Sequence, residues 1–164
     1  MTKNFNSIKE LMTYLQSQIP NNLEVIGENI RNKLRENVQE LWYDRPFTPT
    51  HYNRTMEYIN SLVCSKAVST GGGIYEVEIY FDTNKINPYS STNGNWPQHE
   101  SVFGDDVSDY IPQWIEDGNN NSRLYSYEGV HPVKITKQWI DEIDYVRKKM
   151  IELLSHNGFN CSII

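Results

Sequence analysis

The stretch Ile74-Tyr75-Glu76-Val77-Glu78-Ile79-Tyr80-Phe81-Asp82 decides the fold class. Tyr75, Val77, Ile79 and Phe81 recur at every second position with Glu76, Glu78 and Tyr80 between them. That is the period of a strand with one face on a core and the other, acidic one in water. Ser69-Thr70-Gly71-Gly72-Gly73 just before it reads as a turn, so the strand pairs antiparallel with a preceding one that begins after Asn60. Met56 to Asn60 reads as a short helical turn ahead of that partner. The three glycines form a hairpin tip and not a phosphate cradle, because a phosphate loop follows a strand, enters a helix and carries Lys-Ser/Thr.

Helical patterns flank this hairpin. Ser7 is placed to cap a first helix, with Glu10 as the other half of a capping box and Ile8, Leu11, Met12 and Leu15 as its apolar face. Pro20 is expected to stop it. A second helix is expected from about Asn22 to Trp42, since Leu23, Ile26, Ile30, Leu34, Val38 and Leu41 make one stripe. Two prolines, Pro46 and Pro49, break the pattern after it.

Toward the other end, Asp106-Val107-Ser108-Asp109-Tyr110-Ile111-Pro112-Gln113-Trp114-Ile115-Glu116-Asp117-Gly118 reads as a short helix. Asp106 or Ser108 caps it in this reading, Pro112 sits near its start, and Tyr110, Ile111, Trp114 and Ile115 are its apolar anchors. After His131-Pro132 a long helix is expected from about Val133 to His156, striped by Ile135, Trp139, Ile143, Val146, Met150 and Leu153. Gly158 ends it, and Phe159 to Ile164 reads as a closing strand. Residues 83–105 form a long irregular loop holding Tyr89, Trp96 and Phe103, too aromatic for simple disorder. The expectation is α+β: an antiparallel β-sheet packed against two long amphipathic helices, in a single domain spanning 1–164. Residues 1–20 form an N-terminal helix at its periphery.

Composition narrows the function classes. A chain of 164 residues, 38% hydrophobic, suffices for one core, and its apolar runs are too short to cross a bilayer. The start of the chain shows no secretory pattern, so synthesis and folding in the cytosol are expected. The formal charge is −6, with no basic run beyond Arg147-Lys148-Lys149, which is expected to complement a helix C-terminus. Sequence-specific DNA binding is not expected, whereas an acidic surface lets DNA pass without sticking.

No set of residues announces catalysis. Cys64 and Cys161 read as small apolar fillers, and His51, His99, His131 and His156 are scattered singly, so neither metal nor cofactor is expected. Glu116-Asp117 and Asp105-Asp106 are sequence neighbours and do not converge. Glu76 and Glu78 share a strand face, where solvated charge is the simpler reading than acid–base chemistry. No Gly-x-Ser-x-Gly elbow or dinucleotide fingerprint occurs.

The order of elements carries a resemblance. Tyr52-Asn53-Arg54-Thr55-Met56-Glu57-Tyr58-Ile59-Asn60-Ser61 follows a helix and a Pro-containing loop. The strand Tyr75–Asp82, the helix Tyr110–Gly118 and a final amphipathic helix come after it. This resembles the neck or tail-completion proteins of tailed double-stranded-DNA bacteriophages. In that family a Pro-x-x-Thr/Tyr lead-in precedes an arginine and a serine before the first strand. A Tyr/Trp-Ile/Val-Glu-x-Gly element then precedes a loop bearing the final helix. Here residues 50–55 lack the family's glycine, and His131-Pro132-Val133-Lys134-Ile135 lacks its phenylalanine.

The resemblance implies a structural protein and not an enzyme. It implies a homo-oligomer, usually a ring around the DNA channel, with portal-side and tail-side virion proteins as partners and DNA passing without sequence-specific binding. The implied location is the virion neck, after assembly in the host cytoplasm. Trp96, Phe103, Tyr110 and Trp114 are the candidate interface residues, with Tyr52 and Arg54 as a second patch, because Trp, Tyr and Arg are enriched at hot spots. Trp114 also suits packing within its own domain. Two other readings stay open: a small metal-dependent hydrolase using Glu76, Glu78 and His99, and a monomeric cytosolic binding or regulatory module.

Overall fold

The computed structural model of the chain describes residues 5–45, 55–86, 108–119 and 127–159. In order, these hold α1 (Ile8–Val38), α2 (Glu57–Asn60), β1 (Leu62–Cys64), β2 (Val68–Gly71), β3 (Ile74–Glu76), β4 (Ile79–Phe81), α3 (Ile111–Asp117), β5 (Gly118–Asn119), β6 (Tyr127–Glu128), α4 (Pro132–Glu142) and α5 (Tyr145–His156). The fold is α+β. Among the described residues β1 pairs with β4, β2 with β3 and β5 with β6, so these strands form two-stranded pairs where a single sheet is expected.

Pro20 does not stop the first helix. It lies inside α1, which runs on to Val38 and closes in a π turn over Gln39–Tyr43. A mid-helix proline loses one hydrogen bond and crowds the preceding turn, at about 3 kcal/mol. Against that stands one continuous apolar stripe. Ile8, Met12, Leu15 and Ile19 are in phase with Leu23, Ile26 and Ile30, so one apolar face runs through both halves, buried at Ile26 and open at Ile8 and Met12. The start is as expected: Ser7 Oγ accepts the Glu10 N–H at 3.1 Å, and the Glu10 carboxylate accepts the Asn6 N–H at 2.9 Å.

The last helix is also not what its stripe suggests. It breaks between α4 and α5 at Asp144, whose backbone is left-handed (φ 49°, ψ 47°). Aspartate tolerates that conformation better than most residues, and here its carboxylate pairs with Arg147 in the first turn of α5. Trp139 and Tyr145 stack at 4.6 Å across the break. On an unbroken helix they would be separated by about 9 Å of rise and a third of a turn. The break also moves Arg147, Lys148 and Lys149 from the expected helix C-terminus to an N-terminal turn. There Asp144 and Glu152 offset Arg147 and Lys149.

Two compact units emerge: Met1–Arg31, Cys64–Ile79 and Gln138–Ile164 in the first, Asn32–Val63 and Tyr80–Lys137 in the second. In the first, Ile26 of α1 is buried (1% exposed), and Gly27 beside it faces the Val77 and Cys64 side chains. The β2–β3 hairpin turns through Gly72 and Gly73, both with positive φ (60° and 80°), as a tight two-residue tip requires. Its register shifts by one residue between Ser69 and Gly71, a bulge. Tyr75, Val77 and Ile79 are half-buried while Glu76 and Glu78 are exposed, the expected alternation. Gly158 ends α5 in a Schellman motif, with Phe159 N–H on Leu154 O and Gly158 N–H on Ser155 O. The Phe159 ring then stacks on Phe5 and Tyr14. The closing strand expected beyond Phe159 lies outside the described residues.

One ion pair in this unit sets a pH dependence. Lys66 Nζ donates to Glu24 at 2.9 Å, and the Ala67 N–H donates to the same carboxylate at 3.1 Å. The Lys66 bond, then the Ala67 bond, hold the Glu24 carboxyl below its ordinary value of 4.5, and the same pairing holds Lys66 above 10.5. A depressed acid contributes stability above its ordinary value and loses it as pH falls through the lowered one; the raised lysine loses its share as pH climbs past 10.5. The melting-temperature difference between wild type and Glu24→Gln should therefore be flat between 4.5 and 10.5 and shrink on either side.

In the second unit Leu34, Val38, Tyr58, Ile59, Leu62, Ile86, Ile111 and Ile115 are buried. Tyr58 stacks on Phe81 at 4.5 Å. The helical turn α2 followed by strand β1 matches the sequence reading. Arg35 reaches from α1 to the Ile59 carbonyl and the Asn60 side chain, the C-terminal end of α2 where a cation is favoured. A buried polar relay joins α1 to α4: Asn37 Nδ2 donates to Thr136 Oγ1, which donates to the Pro132 carbonyl, both at 2.8 Å.

Candidate docking surface

The Asp106–Gly118 stretch folds as a 3-10 turn over Ser108–Tyr110 leading into α3. Pro112 occupies the first helical positions, where its missing N–H would be unpaired anyway. Tyr110, the residue before α3, makes no side-chain cap bond, and Asp106, one of the two expected caps, lies outside the described residues. Asp109 instead accepts the Thr83 hydroxyl at 2.5 Å. Gly118 ends the helix as expected.

A clamp fixes this helix to the next. Gly118 pairs with Glu128 and Asn119 with Tyr127, antiparallel. The returning chain then runs along the end of α3, where Val130 N–H donates to Ile115 O and His131 N–H to Glu116 O. Those carbonyls would otherwise be unpaired at a helix C-terminus. Gly129 allows the approach: a Cβ there would strike the Glu116 carbonyl oxygen and lie 2.5 Å from the Asp117 carbonyl carbon and 2.7 Å from the Gly118 nitrogen.

Glu116 closes the clamp from the other side. Its two carboxylate oxygens accept the N–H groups of Val133 at 2.8 Å and Lys134 at 2.9 Å, in the first turn of α4. This is the work of an N-cap side chain supplied by a different helix, and negative charge there also suits the helix dipole. Glu116→Ala should cost about 1 kcal/mol, in the range of cap deletions, and Glu116→Gln less. A urea midpoint that does not move in either variant would contradict the assignment.

The clamp leaves one aromatic face outward. Ile111 and Ile115 point into the core, at 9% and 2% exposure, while Tyr110 is 57% exposed. The Tyr110 ring stacks on half-buried Trp114, centroids 6.0 Å apart and planes 20° from parallel. Gln113 and Asp117, which bond each other, line the same exposed side. Of the six candidate interface residues, Tyr110 and Trp114 thus sit together on one rigid element. Tyr52, Arg54, Trp96 and Phe103 lie outside the described residues.

Other groups weighed for chemistry are occupied structurally or stand apart. Glu76 and Glu78 are exposed, and His99 lies outside the described residues. Among the described residues no three His, Cys, Asp or Glu side chains converge as a metal-holding group. Burial, then the nearby Glu28 carboxylate, push the Cys64 thiol above its ordinary value, which suits a filler and not a nucleophile. A shallow depression lies along the start of α1, beside Phe5, Ser7, Thr13, Tyr14 and Ser17. Its hydroxyls serve the helix: Thr13 donates to Lys9 O and Ser17 to Tyr14 O.

Gly129, Gly27 and the Asn37–Thr136 pair are the residues that sequence reasoning did not single out, and Glu116 enters it only as half of a non-converging acid pair. Each acts on a partner far along the chain, so no local pattern marks it. No helix among the described residues is long and apolar enough to cross a membrane. No family model, curated protein or solved structure matches the chain.

Proposed function

We propose that this chain is a structural virion protein that joins the head to the tail of a tailed double-stranded-DNA bacteriophage, as one subunit of a ring around the DNA channel in the neck. The observation that carries the reading is the stacked, outward-facing Tyr110–Trp114 pair. It lies on the element through which the chain resembles the family, held by a clamp from Gly129 and Glu116 that fixes the helix before any partner arrives. Rigid aromatic anchors lose little conformational freedom on docking, which is what a standing assembly contact requires. The formal charge of −6 supports the same reading, because a negative lining repels the phosphates of passing DNA.

The test is capture of the portal-side and tail-side neck proteins by the purified chain. Tyr110→Ala with Trp114→Ala should weaken capture at least about tenfold, and Tyr110→Ala alone, at a residue 57% exposed, should weaken it in part while leaving the melting temperature nearly unchanged, since hot-spot aromatics dominate such contacts. Undiminished capture by the double variant would remove this face from the contact. A specific turnover, with a pocket that carries it, would remove the reading.

A further inference from the structure

The apolar stripe of α1 outruns its cover. Ile8, Met12, Leu15, Ile19, Asn22 and Ile26 recur every three or four residues on one face. Burial climbs steadily along them: Ile8 is 81% and Met12 50% exposed, Leu15 and Ile19 are half-buried, and Asn22 and Ile26 are 6% and 1% exposed. Ile8 and Met12 at the open end are as apolar as Ile26 at the buried end, with Asn22 the one polar residue in the series. The first turn is held by its own Ser7–Glu10 box, so it presents Ile8 and Met12 without needing to be packed.

A second open apolar face lies in the same unit. Val68 stands opposite Glu76 in the hairpin register, and Ile74 is two residues from Glu76, so all three share one face. Val68 and Ile74 are each 60% exposed. The two faces carry opposite charge: Lys9 flanks the Ile8–Met12 stripe, Glu76 sits within the hairpin face, and both are exposed. A symmetric pairing of two helix stripes would bring one Lys9 toward another and leave the hairpin face bare.

We infer that the Ile8–Met12 face of one copy docks on the Val68–Ile74 face of the next, with Lys9 of one copy against Glu76 of the other. Such a head-to-tail contact repeats from copy to copy and closes into a ring when the rotation permits. It deepens the neck-ring reading by naming the two faces that meet, and it rests on that reading for closure alone.

The experiment is mass by light scattering across a concentration series. It compares wild type, Ile8→Glu/Met12→Glu and Val68→Glu/Ile74→Glu, with thermal melts alongside. Wild type should form multiples of the 19.2 kDa chain, and each variant should stay at the single-chain mass with an unchanged melt. An equimolar mixture of the two variants keeps one intact pair of faces, so it should form two-chain particles and nothing larger. The inference is overturned if wild type stays single at every concentration, if either variant associates as wild type does, or if the mixture stays single. A lowered melt in either variant also overturns it, because that face is then covered within its own chain. Variants that associate normally leave a ring built through other faces standing. A wild-type chain that neither self-associates nor captures neck proteins removes the functional reading as well.

Discussion

Gly129→Ala should destabilise the chain by about 3 kcal/mol, the upper end of what overpacking costs. The added methyl would meet the Glu116 carbonyl oxygen, the Asp117 carbonyl carbon and the Gly118 nitrogen, all backbone atoms. No rotamer change relieves such a clash. Relief needs the 129–131 segment to lift from α3, which breaks the Val130 N–H bond to Ile115 O and the His131 N–H bond to Glu116 O. That movement also draws α4 away from the Glu116 carboxylate. The measurement is the urea midpoint at unchanged slope. A midpoint within error of wild type would show that the clamp has slack.

Gly27→Ala follows, with a sign decided by two opposing magnitudes. Alanine in a helix interior gains up to about 1 kcal/mol over glycine. Here the new Cβ would lie 2.7 Å from Val77 Cγ1 and 2.9 Å from Cys64 Sγ. Val77 is β-branched and stiff about χ1, so it cannot turn aside freely. Overpacking costs of about 1–3 kcal/mol outweigh the helix gain, leaving a net loss of about 1–2 kcal/mol. Val77→Ala should then behave differently in the two backgrounds, costing less by about 1 kcal/mol or more when residue 27 is alanine. A stabilised Gly27→Ala chain would mean that α1 is not in close contact with Val77 and Cys64.

The pattern of what the sequence disclosed follows the range of each interaction. The Ser7–Glu10 box, the Tyr75–Val77–Ile79 alternation, the Pro112 position and the Gly158 stop depend on neighbours a few residues away, and all are legible. Pro20 misleads because a local rule competes with a stripe long enough to override it. Asp144 misleads in the other direction, since a helix break without glycine or proline leaves no mark in an apolar period. The strand after Gly73 reads as one element, yet its two halves choose different partners, β2 and β1, and partner choice is a non-local matter.

The candidate site divides in the same way. Tyr110 and Trp114 are four residues apart on a helical pattern, so their meeting on one face is readable in advance. The carboxylate of Glu116 reads only as one of two neighbouring acids that do not converge, because its targets, the N–H groups of Val133 and Lys134, lie beyond a loop and a strand pair. Gly129 reads as one more loop glycine until the helix end it passes is known.

Electron cryomicroscopy of particles made by a phage deprived of this reading frame tests the proposed head–tail role most directly. The account predicts DNA-filled heads and finished tails lying apart, rejoined when the chain is supplied in trans and not when Tyr110 and Trp114 are both alanine. Joined, infectious particles at wild-type yield in the absence of the chain would contradict it.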